Sequence, residues 1–273
     1  MAQALDTGDR YKNEVQNQWD RDACGSHYVQ NAEEGTLDWY LEVERYRYGV
    51  YGPWMPELLE FAGQRGKKLL EVGGGLGTDH SQFARNGAIT TDLDLSSGHL
   101  DHARKNFQLR GLKGEFVHGD AENMPFPDAT FDVVYSNGVI HHTPNTARVV
   151  DEMYRVLKPG GRVIIMVYAE NSLHYWRNLF YTIGVEDARL TQVSMGDIMS
   201  ESVEISEHGS KPLVKVYTKD RLNNLFHRFE NRQIWQRQMV PEERPRLLRW
   251  VPLSLFERLA GWNLIIKANK PLA

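Results

Sequence analysis

Cysteine is almost missing from this chain. Cys24 stands alone among 273 residues, which excludes an intrachain disulfide and a cysteine-built zinc site and makes a reducing compartment, the cytoplasm, the expected location. Long apolar runs are missing too. No stretch approaches the roughly 18 residues of a membrane span, and residues 1–19 are polar and mixed in charge, so neither membrane insertion nor export is expected. Nor is there an excess of positive charge. A net charge of −4 and a pI near 6.2 argue against a broad phosphate-binding face, so nucleic acid is not the expected partner. Internal repeats and low-complexity runs are absent as well, and 41% hydrophobic with 25% charged residues describes an ordinary globular protein.

What remains is a pattern of periodicity and punctuation that divides the chain into four zones. Residues 1–62 interleave aromatics with charge (Trp39, Tyr40, Tyr46, Tyr48, Tyr51, Trp54), with helical spacing after Gly35 and a break at Gly52-Pro53. They read as an N-terminal helical lid or substrate layer. Residues 63–169 alternate short apolar runs (68–72, 88–93, 115–118, 131–135, 162–167) with helical stripes, the signature of βαβ units on a parallel sheet. Ser96 caps one such stripe, Leu100-Ala103-Phe107, and Val149-Val150-Met153-Val156 form another. Residues 170–215 break the rhythm with Tyr175, Trp176, Phe180, Tyr181, Met195 and Met199 and no clear strand. An insertion at the C-terminal end of a sheet strand is where an α/β protein places a ligand-covering cap. Residues 216–273 hold a helix around 218–226 and two strand candidates, 232–239 and 262–268, that complete the sheet. Arg244, Arg246 and Arg249 near Trp250 read as a solvated basic face.

The first strand run enters Gly73-Gly74-Gly75-Leu76-Gly77-Thr78-Asp79 and then a helix. Glycine lets the backbone turn sharply and lets a ligand approach with no Cβ in the way. A dinucleotide fingerprint, G-x-G-x-x-G, does not fit, because Thr78 and His80 occupy the third glycine's place in either register. The acid just before the loop, Glu71, would repel a pyrophosphate and suit a cationic ligand. A nicotinamide oxidoreductase is therefore disfavoured.

Five elements in order carry a resemblance. They are Glu71-x-Gly73-x-Gly75-x-Gly77, Asp92-Leu93-Asp94-Leu95-Ser96 about 20 residues on, His118-Gly119-Asp120-Ala121-Glu122 with Met124-Pro125-Phe126, Ser136-Asn137-Gly138-Val139-Ile140-His141-His142, and Arg155-Val156-Leu157-Lys158-Pro159-Gly160-Gly161. Over about 100 residues, 67–168, the chain resembles the class I S-adenosylmethionine-dependent methyltransferases, and within them the ubiquinone/menaquinone-biosynthesis type of small-molecule enzyme. The resemblance implies a Rossmann-like, seven-stranded, mostly parallel sheet with helices on both faces. It implies S-adenosylmethionine as cofactor, held by Glu71 and the loop glycines, by Asp94 and Leu95 at the ribose, by Asp120 and Ala121 at the adenine with Met124 or Phe126 packed nearby, and by Asn137 beside the methionine moiety. It does not fix the acceptor atom.

Methyl transfer from a sulfonium needs alignment and water exclusion more than side-chain chemistry. An oxygen acceptor gains from a nearby imidazole, which nominates His141 or His142; neighbours leaving a strand point apart, so one of them is expected to face the pocket. His27 and Tyr28 in the N-terminal zone, Tyr168 and Asn171 after the fifth strand, and Tyr175 and Trp176 in the insertion are the acceptor-contacting candidates. No metal is expected. The reading that follows is a methyltransferase acting on a small, largely apolar molecule, at oxygen slightly before carbon. Its alternatives are a peptide or protein methyltransferase and a non-catalytic S-adenosylmethionine-binding module.

Overall fold

The computed structural model describes residues 8–204, 209, 211–244 and 250–272; Arg246 and Arg249 of the basic run lie outside them. Eight strands form one sheet among these residues: β1 (Lys68–Val72), β2 (Ile89–Asp94), β3 (Glu115–His118), β4 (Phe131–Asn137), β5 (Leu157–Ala169), β6 (Val216–Tyr217), β7 (Glu230–Arg237) and β8 (Asn263–Asn269). The order is β3-β2-β1-β4-β5-β8-β7, with β6 laid against the end of β5. β8 pairs antiparallel with both neighbours, and the remaining pairs are parallel. The seven expected strands are present, and β6 corrects the count. Two residues are too short to show a period of two, so the sequence carries no signal for it.

Alternation along the strands sends side chains to two cores. Leu69, Val133, Ile164 and Ile265 meet Met55, Leu59, Phe61 and Phe83 on one face. Leu70, Val134, Ile165 and Ile266 meet Val149, Val150, Met153, Leu222 and Phe226 on the other. The helices supplying these layers are α1 (Arg10–Trp19), α2 (Leu37–Tyr46), α3 (Met55–Leu58), α4 (Thr78–Arg85), α5 (Ser97–Arg110), α6 (Thr146–Val156), α7 (Met195–Ser202), α8 (Lys219–Leu225) and α9 (Leu253–Ala260). Their starts follow the capping rule: Ser96, Asn145 and Thr218 accept backbone N–H groups of the first turns of α5, α6 and α8.

Strand order reverses between β1 and β4. In an open parallel sheet that is where the loops diverge and leave a crevice beyond the carboxyl ends of the strands. Residues of the N-terminal helices and of the insertion after β5 line this crevice. α1 is tied down by Asp20, whose carboxylate accepts from Ser96 Oγ (2.7 Å) and the Gly98 N–H (3.0 Å), and by Lys12, whose ammonium lies 2.6 Å from Asp120 and 2.7 Å from Glu122. The insertion is helical, with a π-wound segment over His174–Glu186 followed by α7.

Met153 of α6 is fully buried between helix and sheet, away from the crevice. Met153→Ala is expected to lower unfolding free energy by about 2–5 kcal/mol through lost burial and the cavity left behind, read as a lower urea midpoint with an unchanged slope.

Candidate functional site

The crevice beyond β1 and β4 opens into a cavity of roughly 570 Å³, within the usual range for a cofactor and a small ligand. Its floor is the glycine loop. Gly73 has φ +77°, and a Cβ there would lie 2.4 Å from Val139 Cγ2; one on Gly74 would lie 2.4 Å from an Asp92 carboxylate oxygen. The loop is therefore pressed onto the β2 and β4 ends and presents bare backbone to the cavity, a cradle that any side chain would fill. Gly75 joins this floor, whereas Gly77 sits behind it, packed on Ala103 of α5, and does not reach the cavity.

The two acids of β2 divide their roles. Asp92 is fully buried beneath the loop, where it accepts from the Gly74 N–H at 3.0 Å. Asp94 lines the cavity, accepting from the Gly75 N–H (3.2 Å) and the Ser96 N–H (2.8 Å). The Cys24 N–H donates to His99 Nε2 (3.3 Å), which puts the ring hydrogen on Nδ1, 3.4 Å from Asp94. Burial alone would raise the Asp94 pKa, but these donors and His99 outweigh it and hold the carboxylate below its ordinary value. A carboxylate offers about four lone-pair positions, so Asp94 keeps acceptor capacity for a vicinal diol. Leu95, Asp120, Ala121 and Asn137 line the same wall. Met124 is buried in the core and Phe126 packs against it, not against the cavity.

Glu71 lines the cavity but differs from the free carboxylate expected. Burial, then the charges of Asp79 and Asp94, push its pKa well above the usual range. Its partner is His80 Nδ1 at 3.0 Å, whose own pKa burial pulls down to about 4. The pair shares a hydrogen bond with little standing charge.

Asp79, which the sequence reading passed over, is the better-defined anion. The Arg47 guanidinium grips it at 2.6 Å through both Nε and Nη2, the Tyr48 and Tyr135 hydroxyls donate at 2.6 Å each, and Asn137 Nδ2 lies 3.3 Å away. Burial favours protonation, yet the Arg47 charge and these donors outweigh it and keep the pKa low. Arg47 and Asp79 both line the cavity, as do Lys12, Gln16 and Trp19 of α1. The α1 residues had a readable signal, since 12, 15, 16 and 19 share one helix face. The Arg47–Asp79 pair, 32 positions apart, had none.

Of the acceptor-side candidates, His27, Tyr28, Tyr168 and His142 line the cavity. His141 does not: it is fully buried, its ring packed at 4.1 Å on Tyr168 and 4.2 Å on His142, and burial pushes its pKa well below the usual imidazole value. Asn171 is also off the cavity, its carbonyl accepting from Gln236 Nε2. Tyr175 packs into the cluster of Leu179, Met199, Val214 and Trp262, and Trp176 is half exposed on the far side of its helix. The insertion instead contributes His174, Asn178 and Glu204, joined by Trp262 and Val240. Cys24 is exposed at the cavity mouth; desolvation by the surrounding protein, then the nearby Glu204 charge, raises its thiol pKa to about 11.

Residues 70–165 match the family described as "Methyltransferase domain". The chain is 35% identical over 177 residues to a phthiotriol/phenolphthiotriol dimycocerosates methyltransferase of Mycobacterium leprae, covering 62% of this chain and 60% of that protein. It is 32% identical over 129 residues to the ubiquinone/menaquinone biosynthesis C-methyltransferase of Idiomarina loihiensis, covering 45% and 51%. The chain thus spans 60% or less of the length of these two relatives. A solved S-adenosylmethionine-dependent methyltransferase from Methanosarcina mazei superposes with a TM-score of 0.58 at 20% identity, covering 80% of this chain and 98% of that one, a likeness of fold.

With a thiol pKa near 11, Cys24 is expected to react with iodoacetamide at pH 8 roughly 10²-fold more slowly than an ordinary thiol of pKa about 8.5. Its rate should climb about tenfold per pH unit up to that value, measured by intact-mass spectrometry of the labelled full chain.

Proposed function

We propose that the chain is a class I S-adenosylmethionine-dependent methyltransferase, the family resembled by its residues 70–165, and that it methylates a small, largely apolar acceptor, at oxygen in preference to carbon. The observation that carries this reading is one continuous cavity. It runs from the bare glycine floor and Asp94 to an aromatic-lined chamber with polar corners, one formed by His142, Glu204 and Tyr168.

The fit to the cofactor rests on the cradle at Gly73 and Gly74, which has no room for a side chain, and on Asp94, whose spare lone pairs suit two ribose hydroxyls. When bound, S-adenosylmethionine supplies a methyl carbon already activated by the sulfonium charge. Asp120 and Ala121 serve the adenine end, and Asn137 and Glu71 the methionine end. Trp19, Tyr28, Tyr46, Tyr51 and Tyr168 line the cavity. Aromatic faces attract a cation and exclude water, and alignment in a dry site supplies most of the rate. The N-terminal helices act as a lid and the insertion as a cap on a cavity that keeps an opening to solvent at Cys24 and Tyr28.

For an oxygen acceptor, His142 and Glu204 offer the hydroxyl proton a destination; His141 is too deep to receive it. A carbon acceptor, as named for the Idiomarina relative, would need the same corner to polarise a neighbouring oxygen. A cavity flanked by two covering segments suits a small molecule better than a peptide. The single free cysteine supports a cytoplasmic setting.

Two substitutions separate binding from chemistry. Asp94→Ala is expected to weaken S-adenosylhomocysteine binding by about 1–3 kcal/mol through lost hydrogen bonds, measured calorimetrically. His142→Ala should leave that affinity within a few-fold but lower turnover by about 10²-fold or more, in a radiolabelled methyl-transfer assay against apolar phenols and carboxylic acids. Consumption of S-adenosylmethionine with none of these acceptors, or equal turnover by wild type and His142→Ala, would contradict the proposal.

A further inference from the structure

The polar corner contains more than a proton acceptor requires. His141, His142 and Glu204 each present a ligating atom, and these atoms lie within 4.8 Å of one another. His142 Nδ1 is 2.7 Å from the Leu213 carbonyl oxygen, which can only accept, so the ring hydrogen sits on Nδ1. In the neutral ring Nε2 is then a bare lone pair, and it faces Glu204 Oε1 at 3.3 Å. Two acceptors repel at that distance unless something positive lies between them. His141, fully buried next to them, has no hydrogen-bond partner on either ring nitrogen. A native protein rarely tolerates such an orphan without a water or an ion to satisfy it.

The surroundings match a metal site in two further respects. A ligating histidine ordinarily donates its other N–H to a carbonyl or carboxylate, as His142 does to Leu213, and a ligating carboxylate is itself hydrogen-bonded, as Glu204 is by the Tyr168 hydroxyl at 2.9 Å. The 3.3 Å between Nε2 and Oε1 is also close to the edge of a tetrahedron whose metal–ligand bonds are about 2.0–2.1 Å. From separations of up to 4.8 Å, the third ligand needs to move in by at most about 1.5 Å, within reach of a side-chain rotation.

We propose that His141, His142 and Glu204 bind one divalent transition-metal ion, of which Zn²⁺ is the type. Two histidines and one carboxylate leave a fourth position, the arrangement of an open rather than a purely structural zinc site. His142 and Glu204 line the cavity, so that position faces it and would take a water or an oxygen of the acceptor; with the ion bound the His142 lone pair is taken, and a metal-held water rather than the imidazole would receive the acceptor's proton. This departs from the sequence reading, which expected no metal. His-His after a strand carries no recognisable ligand spacing by itself, and Glu204 joins from 62 residues away.

The test is titration of the chelator-treated full chain, with Co²⁺ followed by visible absorption and Zn²⁺ by calorimetry. One ion per chain is expected, with affinity reduced at least tenfold in His141→Ala, His142→Ala and Glu204→Gln. Glu204 lies at the cavity rim, so E204Q tests the site without opening the core. Zn²⁺ should raise the unfolding temperature of wild type and leave that of E204Q unchanged. Absence of stoichiometric binding, or equal binding by wild type and E204Q, would overturn the proposal. The probe is the metal alone, so failure here is distinguishable from failure of the methyl-donor reading.

Discussion

A single buried carboxylate, Asp79, holds this molecule in the shape its chemistry needs. It sits in the first turn of α4, directly after the glycine loop, and draws together Arg47 and Tyr48 from the N-terminal layer with Tyr135 and Asn137 from β4. Burying that charge is tolerable only because its donors are all in place, and removing one partner of such a pair typically costs about 3–5 kcal/mol. The constraint is directional as well as energetic. With both guanidinium nitrogens on one carboxylate, the segment carrying Arg47 cannot drift from the sheet edge, so the loop between β1 and α4 is roofed.

The rest of the cavity follows from that roof. Close contact of Gly73 with Val139 and of Gly74 with Asp92 keeps the floor flat against the β2 and β4 ends. Asp20 and Lys12 fasten α1 across Ser96 and Asp120. Between roof and floor the charges are sorted. Asp94 and Asp79 are held ionised by their donors, whereas burial moves Glu71 and Asp92 toward their neutral forms. Anionic character is thereby concentrated along the wall that a sulfonium and its ammonium group would face, and an aromatic-lined chamber that includes the His142–Glu204 corner lies beyond it.

Much of this was legible in the sequence, because the core obeys local rules. Strand runs, the Ser96 cap and the Val149-Val150-Met153-Val156 stripe depend on periods of 2 and 3.6 and on capping chemistry, and they stand where those rules put them. Asp94 is preferred to Asp92 because it lies about 20 residues beyond the glycine loop and Asp94-Leu95-Ser96 is the better match to the resembled family's pattern. The misses are long-range. Arg47–Asp79 and Lys12–Asp120 join residues with no sequence relation. Which of His141 and His142 faces the cavity depends on how β4 ends, and the half-exposed Trp176 shows that an aromatic stripe on an insertion helix does not say which face turns inward. Glu204, which completes the polar corner, is an ordinary glutamate until the fold brings it to His142.

The account stands on the switch-point cavity being an S-adenosylmethionine site. Calorimetric titration of the full chain with S-adenosylhomocysteine, with NADH as control, tests that most directly. Stoichiometric, micromolar binding of S-adenosylhomocysteine and none of NADH is the predicted result. Binding of NADH, or of neither ligand, would contradict it.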